Sequence, residues 1–155
     1  MPSEFQAHTD FTTGPLPTFV SDIYSLVMGT PRSIEDQTLM DFIPGYLLIH
    51  LAELEEHWGI ANSLLDTNRL YIPFLANYSS DYICWRDGLI VSICHDSPIE
   101  YVMHDEERRF YDTISQFYRE QVFFLDEDGY LDDASEKYLQ IGQQLNPGVP
   151  YWFGE

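Results

Sequence analysis

Three side chains in the first long amphipathic segment have the types and spacing of metal ligands. His50, Glu53 and His57 are three and four residues apart, so a helix would bring two imidazoles and a carboxylate onto one narrow arc. Such a set could bind zinc. Its spacing differs from the His-Glu-x-x-His pattern of metallohydrolases, and the arc borders the apolar stripe of the same helix. We therefore predict no metal site and keep a metal-dependent hydrolase as the third alternative.

Two cysteines and two histidines could supply a nucleophile and a general base. Cys84 or Cys94 could pair with His95 or His104. A catalytic cysteine needs an electropositive, partly open environment, whereas both cysteines lie within apolar strand patterns. We predict that both are packing residues and that the chain has no catalytic residues.

The segment from Phe124 to Asp132 resembles a calcium-binding loop in its acidic residues and its glycine. If Gly129 is the sixth loop position, the first and twelfth positions are Phe124 and Ser135, where calcium loops have oxygen-rich acids. We interpret the segment as an acidic turn between a strand and a helix. The sequence thus predicts no cofactor.

The net charge restricts the possible partners. Twenty-six acidic and seven basic residues give the 155-residue chain a formal charge of −19 at pH 7. Phosphate backbones and anionic lipid surfaces would be repelled, so we expect neither a nucleic-acid partner nor a membrane partner. A basic protein would be attracted, and its association would be accelerated.

The start of the chain shows neither the basic nor the apolar region of a signal peptide. No apolar run approaches the roughly twenty residues that span a bilayer. These observations predict a cytoplasmic protein with reduced thiols.

Periodicity predicts one α+β domain over residues 16–152, preceded by a polar segment over residues 1–15. Its centre is a largely antiparallel sheet with helices packed around it. Predicted helices cover residues 16–29, 50–65 and 105–120, and a last helix begins near Asp133 in a capping box with Glu136. Predicted strands cover residues 46–49, 70–75, 81–86, 89–94 and 98–103.

The stretch from Tyr71 to His95 is the clearest signal of the fold. A two-residue turn at Asp87-Gly88 pairs Arg86 with Leu89, which places Cys84 opposite Val91 and separates the two cysteines. Both faces of this hairpin carry apolar side chains, so we expect it in the middle of the sheet, covered on both sides.

Several motifs resemble the SUKH superfamily, which contains fungal cell-wall assembly regulators of the Smi–Knr type and many bacterial toxin-immunity proteins. Ile72-Pro73-Phe74, the run from Ser80 to Trp85, Gly88 to Val91, and His95-Asp96 are similar to its central hairpin and the turn that follows. Leu16-Pro17 with Phe19 and Tyr24 resembles its first helix. The tail from Asp126 to Trp152 is similar to an extension in a bacterial subset.

The resemblance implies a non-enzymatic protein-binding module, most often an immunity protein that neutralises a polymorphic toxin. Many such toxins are basic nucleases, which suits the acidic chain. A regulatory or assembly scaffold, as in the fungal members, is the alternative. The oligomeric state stays open. The candidate binding residues are acids beside surface aromatic residues: Asp81, Trp85, Asp96, Glu100, Asp105, Glu106, Asp126, Glu127 and Asp128.

Overall fold

A computed structural model describes residues 17–27, 29, 41–65, 71–77 and 79–154, and all structural statements refer to these residues. The predicted boundary after residue 15 lies outside them. The helices are α1 (Thr18–Leu26), α2 (Leu54–Leu64), α3 (Glu107–Arg119) and α4 (Ser135–Leu145), with 3₁₀ turns at Leu51–Glu53 and Pro150–Phe153. The strands are β1 (Asp41–Ile43), β2 (Tyr46–Leu48), β3 (Ile72–Ala76), β4 (Tyr82–Arg86), β5 (Leu89–Cys94), β6 (Ser97–His104), β7 (Phe123–Leu125) and β8 (Leu131–Asp133).

The first six strands form one antiparallel sheet in the order in which they occur along the chain. The central hairpin of β4 and β5 has the predicted register, with Arg86 opposite Leu89 and Cys84 opposite Val91. Tyr82 and Ile83 are both buried. Because successive strand residues point to opposite faces, both faces of this hairpin are covered. The predicted α+β fold with a central antiparallel sheet is confirmed.

Aromatic side chains connect the helices to the sheet. Phe19 of α1 and Phe110 of α3 meet Phe74 of β3 in edge-to-face contacts, with ring centroids 5.3 and 5.5 Å from that of Phe74. From α2, His57 packs edge-on against Tyr82. Edge-to-face pairs add stabilisation beyond their buried area because the positive ring edge meets the negative ring face. These contacts belong to a single hydrophobic core.

The C-terminal residues seal this core. Trp152 is only 1% exposed, and its Nε1 donates a 2.7 Å hydrogen bond to the carbonyl oxygen of Met103. Its neighbour Tyr151 remains exposed. The two adjacent aromatic residues thus have different roles.

Some local predictions were wrong. The capping box at Asp133 is absent, because Asp133 ends β8 and α4 begins at Ser135 without a side-chain cap. Strands β1 and β8 were not predicted. They have three residues each, too few to show a period-2 pattern. Helix α1 ends at Leu26, before Gly29, whose φ of +89° brings its backbone against that of Ile49.

Candidate functional site

The residues of the metal hypothesis do not converge. His50 precedes the 3₁₀ turn, and its Nδ1 accepts a 3.1 Å hydrogen bond from the backbone nitrogen of Ala52. His57 is buried on α2, with its Nδ1 2.8 Å from the hydroxyl of Tyr82. The 3₁₀ turn breaks the helical rotation that would have aligned them. Among the described residues, no group of three or more His, Cys, Asp or Glu side chains is placed to hold a metal ion.

The two cysteines are free thiols in environments that oppose thiolate formation. Cys84 is fully buried, and its burial raises its pKa well above the ordinary value. Partial burial, followed by the nearby acids Asp81 and Asp96, raises the pKa of Cys94. A nucleophilic cysteine needs the opposite shift. This supports the prediction that both residues serve packing.

The segment that resembles a calcium loop is the turn of the β7–β8 hairpin. Asp126 Oδ1 accepts hydrogen bonds of 2.9 Å from the backbone nitrogens of Asp128 and Tyr130. Its own nitrogen donates to the carbonyl oxygen of Tyr130 at 2.8 Å. One carboxylate therefore builds the turn, whereas Glu127 and Asp128 are exposed. The predicted turn exists, but it joins two strands instead of a strand and a helix.

Asp81 holds the open end of the central hairpin together. Its Oδ1 lies 2.8 Å from both the backbone nitrogen and Nδ1 of His95, and its Oδ2 accepts from Asn77 Nδ2 at 2.9 Å. Burial alone would raise the pKa of Asp81, but these hydrogen bonds and the charge of His95 lower it overall. The hydrogen bond to Asp81 in turn raises the pKa of His95. Asp81 is therefore a structural residue, only 18% exposed at its side chain.

Glu100 is also engaged within the protein. Its carboxylate forms a bidentate pair with Arg86, at 2.7 Å to Nε and 2.5 Å to Nη2. The Tyr71 hydroxyl donates to the same carboxylate at 2.7 Å. Arg86 and Glu100 are only 12% and 17% exposed at their side chains. Removal of either partner alone would leave an uncompensated charge, so we expect such a substitution to destabilise the sheet locally.

Trp85 is half-buried, and its Nε1 donates a 2.8 Å hydrogen bond to Glu107. The expectation of exposed binding residues is thus wrong for Asp81, Trp85 and Glu100, because each is held by partners inside the fold.

Of the remaining candidates, Asp126 is half-buried within its turn, and the other five are exposed and fall at two places. Asp96 lies in the turn before β6, and Asp105 and Glu106 follow its end. Arg109 pairs with Asp105 at 3.2 Å and Glu106 at 3.6 Å, so one cation faces two carboxylates. The second place is the β7–β8 turn. The structure therefore places three exposed acids at the two ends of β6, with Asp96 before the strand and Asp105 and Glu106 after it.

A buried polar network was missed by the sequence analysis. Asn146 donates to Thr113 Oγ1 and to the carbonyl oxygen of Gly142 at 3.0 and 2.9 Å, while its Oδ1 lies 2.8 Å from His104 Nδ1. Burial lowers the pKa of His104 to about 4, against the opposing effects of Asn146 and Asp105. Each of these polar groups has a partner, so the network joins β6, α3 and α4. Residues distant in sequence give no local signal for it.

The described residues thus define an acidic α+β protein whose polar interior is used for its own structure. None of its described helices combines the length and apolar character needed to cross a bilayer. Comparisons with protein-family models, with curated proteins and with solved structures gave no match to this chain.

Proposed function

We propose that this protein is a non-enzymatic binding module that inhibits a basic protein toxin, in the manner of an immunity protein. The proposal rests chiefly on the excess of uncompensated surface carboxylates. Acidic residues outnumber basic residues by 26 to seven. Arg86, Arg108, Arg109 and Lys137 already contact acidic side chains of the same chain.

Many acids thus have no basic counterpart to balance them within the chain. A concentration of like charge destabilises the folded state through self-repulsion, and a basic partner would relieve it. Charges at the solvent-exposed rim of a protein interface act mainly on the association rate and on its salt dependence. The resemblance of the central hairpin to the SUKH superfamily supports the same function. A cytoplasmic inhibitor of this kind would bind its toxin before the toxin reaches its target.

The direct test is co-expression with a toxin encoded beside this gene. We expect rescue of growth and a complex that survives purification at low salt. Glu127→Gln with Asp128→Asn should be compared with Asp96→Asn, Asp105→Asn and Glu106→Gln, since both sets remove charge with little change in shape. Whichever group of substitutions lies at the surface that contacts the toxin should lower the association rate and its salt dependence. Absence of both complex and rescue would contradict the proposal.

A further inference from the structure

Strand β6 forms one edge of the six-stranded sheet. It has eight residues, more than any other strand described, and among the described residues only β5 pairs with it. One side of an edge strand presents backbone N–H and C=O groups that can accept a strand from another chain. We call this outward side, from Ser97 to His104, the β6 edge.

Within the part of the chain that the structure describes, only one end of the β6 edge is covered. The 3₁₀ turn Pro150–Phe153 packs against the strand, and Trp152 binds the carbonyl oxygen of Met103. Next to this contact lies a groove of about 220 Å³, lined by Glu100, Tyr101, Val102, Pro150 and Tyr151. The turn therefore covers the end of the strand near Met103 and leaves a groove beside its middle.

The side chains along the uncovered part favour contact with another chain. Ile99 is 56% exposed and Tyr101 is 43% exposed, and Tyr151 adds a third exposed apolar side chain at the groove. Natural proteins commonly protect an exposed edge with lysine, proline or a bulge. Pro98 stands near the start of β6, and the pairing of β5 with β6 shifts register between Ile90 and Val91 and between Ile93 and Cys94. No lysine lies between Ser97 and His104, so the regular part of the edge between these two irregularities is its least protected part.

We propose that the β6 edge binds an extended, basic segment of a protein partner as an additional strand. This inference rests on the proposed function and specifies its mode of recognition. The partner's backbone would pair with β6, and its apolar residues would contact Ile99, Tyr101 and Tyr151. Lysine or arginine residues near its ends would approach Asp96 at one flank and Asp105 with Glu106 at the other. Those flanks are about 30 Å apart, at roughly 3.3 Å per strand residue.

The same charges disfavour a second copy of this chain as the occupant. If two β6 strands paired antiparallel about Glu100 and Tyr101, Asp96 of one copy would lie opposite Asp105 of the other. Directly opposed like charges destabilise strand pairs. Each copy would also bring a net charge of −19. A basic heterologous segment is therefore the occupant that the edge favours.

The first test uses peptides selected from a displayed library of random twelve-residue sequences. We expect the selected peptides to be basic, with alternating apolar residues, and to bind less tightly as salt increases. Their addition should shift and protect from exchange backbone amides of Ser97 and of residues 99–103. Failure to select any binder, selection of neutral or acidic peptides, or amide changes centred on the β7–β8 turn would overturn the inference.

Charge insertion provides a matched second test. Ile99→Lys and Tyr101→Lys place a repulsive cation on the edge without burying it, and we expect each to weaken peptide binding at least tenfold. Leu139→Lys and Tyr130→Lys are the controls, since these side chains are 45% and 43% exposed elsewhere, and binding should change less than twofold. Equal losses in all four variants would refute a specific edge site.

The outcomes also separate this inference from the proposed function. A toxin complex that forms normally with the Ile99→Lys and Tyr101→Lys variants would sink the edge inference and leave the inhibitory function standing. Selective binding of basic peptides at β6 without any toxin complex or rescue would support the edge site and contradict the inhibitory function.

Discussion

Replacement of Gly142 by alanine has two opposing effects on the free energy of unfolding: better helix propensity raises it, and a clash in the core lowers it. Gly142 lies inside α4, where alanine is ordinarily favoured over glycine by about 1 kcal/mol. A Cβ at this position would lie 2.6 Å from Cδ2 of Trp152 and still closer to Cε3 and Cζ3. Because Trp152 is only 1% exposed, its indole has no free space and must leave its position.

The magnitude follows from the contacts that the indole would lose. Overpacking of a filled core costs about 1–3 kcal/mol. Disturbing the hydrogen bond from Trp152 Nε1 to Met103 leaves buried polar groups unpaired, at about 1–3 kcal/mol. The gain in helix propensity offsets about 1 kcal/mol. We therefore expect Gly142→Ala to lower the free energy of unfolding by about 1–5 kcal/mol.

Gly59 is the matched control. It lies inside α2 and is exposed, and a Cβ placed there would meet nothing within 4 Å. Gly59→Ala should raise the free energy of unfolding by about 1 kcal/mol, because only the propensity difference remains. Urea denaturation followed by circular dichroism and tryptophan fluorescence would measure both changes, provided that the m-values agree.

Equal free energies of unfolding for the Gly142→Ala and Gly59→Ala variants would refute the predicted clash with Trp152. A double-mutant cycle makes the test specific to the contact. In a Trp152→Ala background, Gly142→Ala should lose its penalty, because the clashing ring is gone. A penalty that persists there would place the cost elsewhere in the helix.

Three further predictions concern titratable side chains. The Asp81–His95 pair should stabilise most between about pH 4 and 6.5. The contribution of the pair falls at lower pH, where Asp81 with its lowered pKa is protonated, and at higher pH, where His95 with its raised pKa loses its proton. In Asp81→Asn, the melting temperature should lose both of these dependences on pH. Burial lowers the pKa of His104 to about 4, so the free energy of unfolding should fall by up to about 3 kcal/mol between pH 6.5 and 4. His104→Gln should abolish this loss. A thiol reagent at pH 8 should modify Cys94 slowly and Cys84 only on unfolding, because burial raises the pKa of both thiols.

For each of these predictions, one experimental outcome would contradict it. A His95 resonance that titrates below the ordinary pKa of histidine in an NMR experiment would contradict the pair with Asp81. Unchanged stability of the parent protein between pH 6.5 and 4 would contradict a buried neutral His104. Rapid modification of both thiols in the folded protein would contradict the burial of Cys84.

Local signals predicted the central hairpin in detail. The Asp87-Gly88 dipeptide specifies a two-residue turn, and a two-residue turn fixes the register of its strands. For that reason strand β5 was predicted with its observed bounds and the cysteines were correctly separated. The capping box at Asp133 failed because its residues also suit a strand end, and pairing with Phe123 decided between the two.

The candidate site was predicted only in part. The acidic residues beside aromatic residues could be named from the sequence, but their exposure depends on partners far away in the chain. Glu100 pairs with Arg86 fourteen residues earlier, and Trp85 binds Glu107. No short-range pattern records such contacts. The groove beside β6 likewise forms from β6 and the C-terminal turn, which are separated by two helices and a hairpin.

The sequence by itself determined the fold class, the acidic character and the register of the central hairpin, because alternation, turn chemistry and charge are properties of neighbouring residues or of composition. Only the tertiary structure decided which acids stay exposed, that Trp152 enters the core over Gly142, and that β6 is an edge. Those features depend on burial and on long-range contacts, which arise only when distant segments pack together.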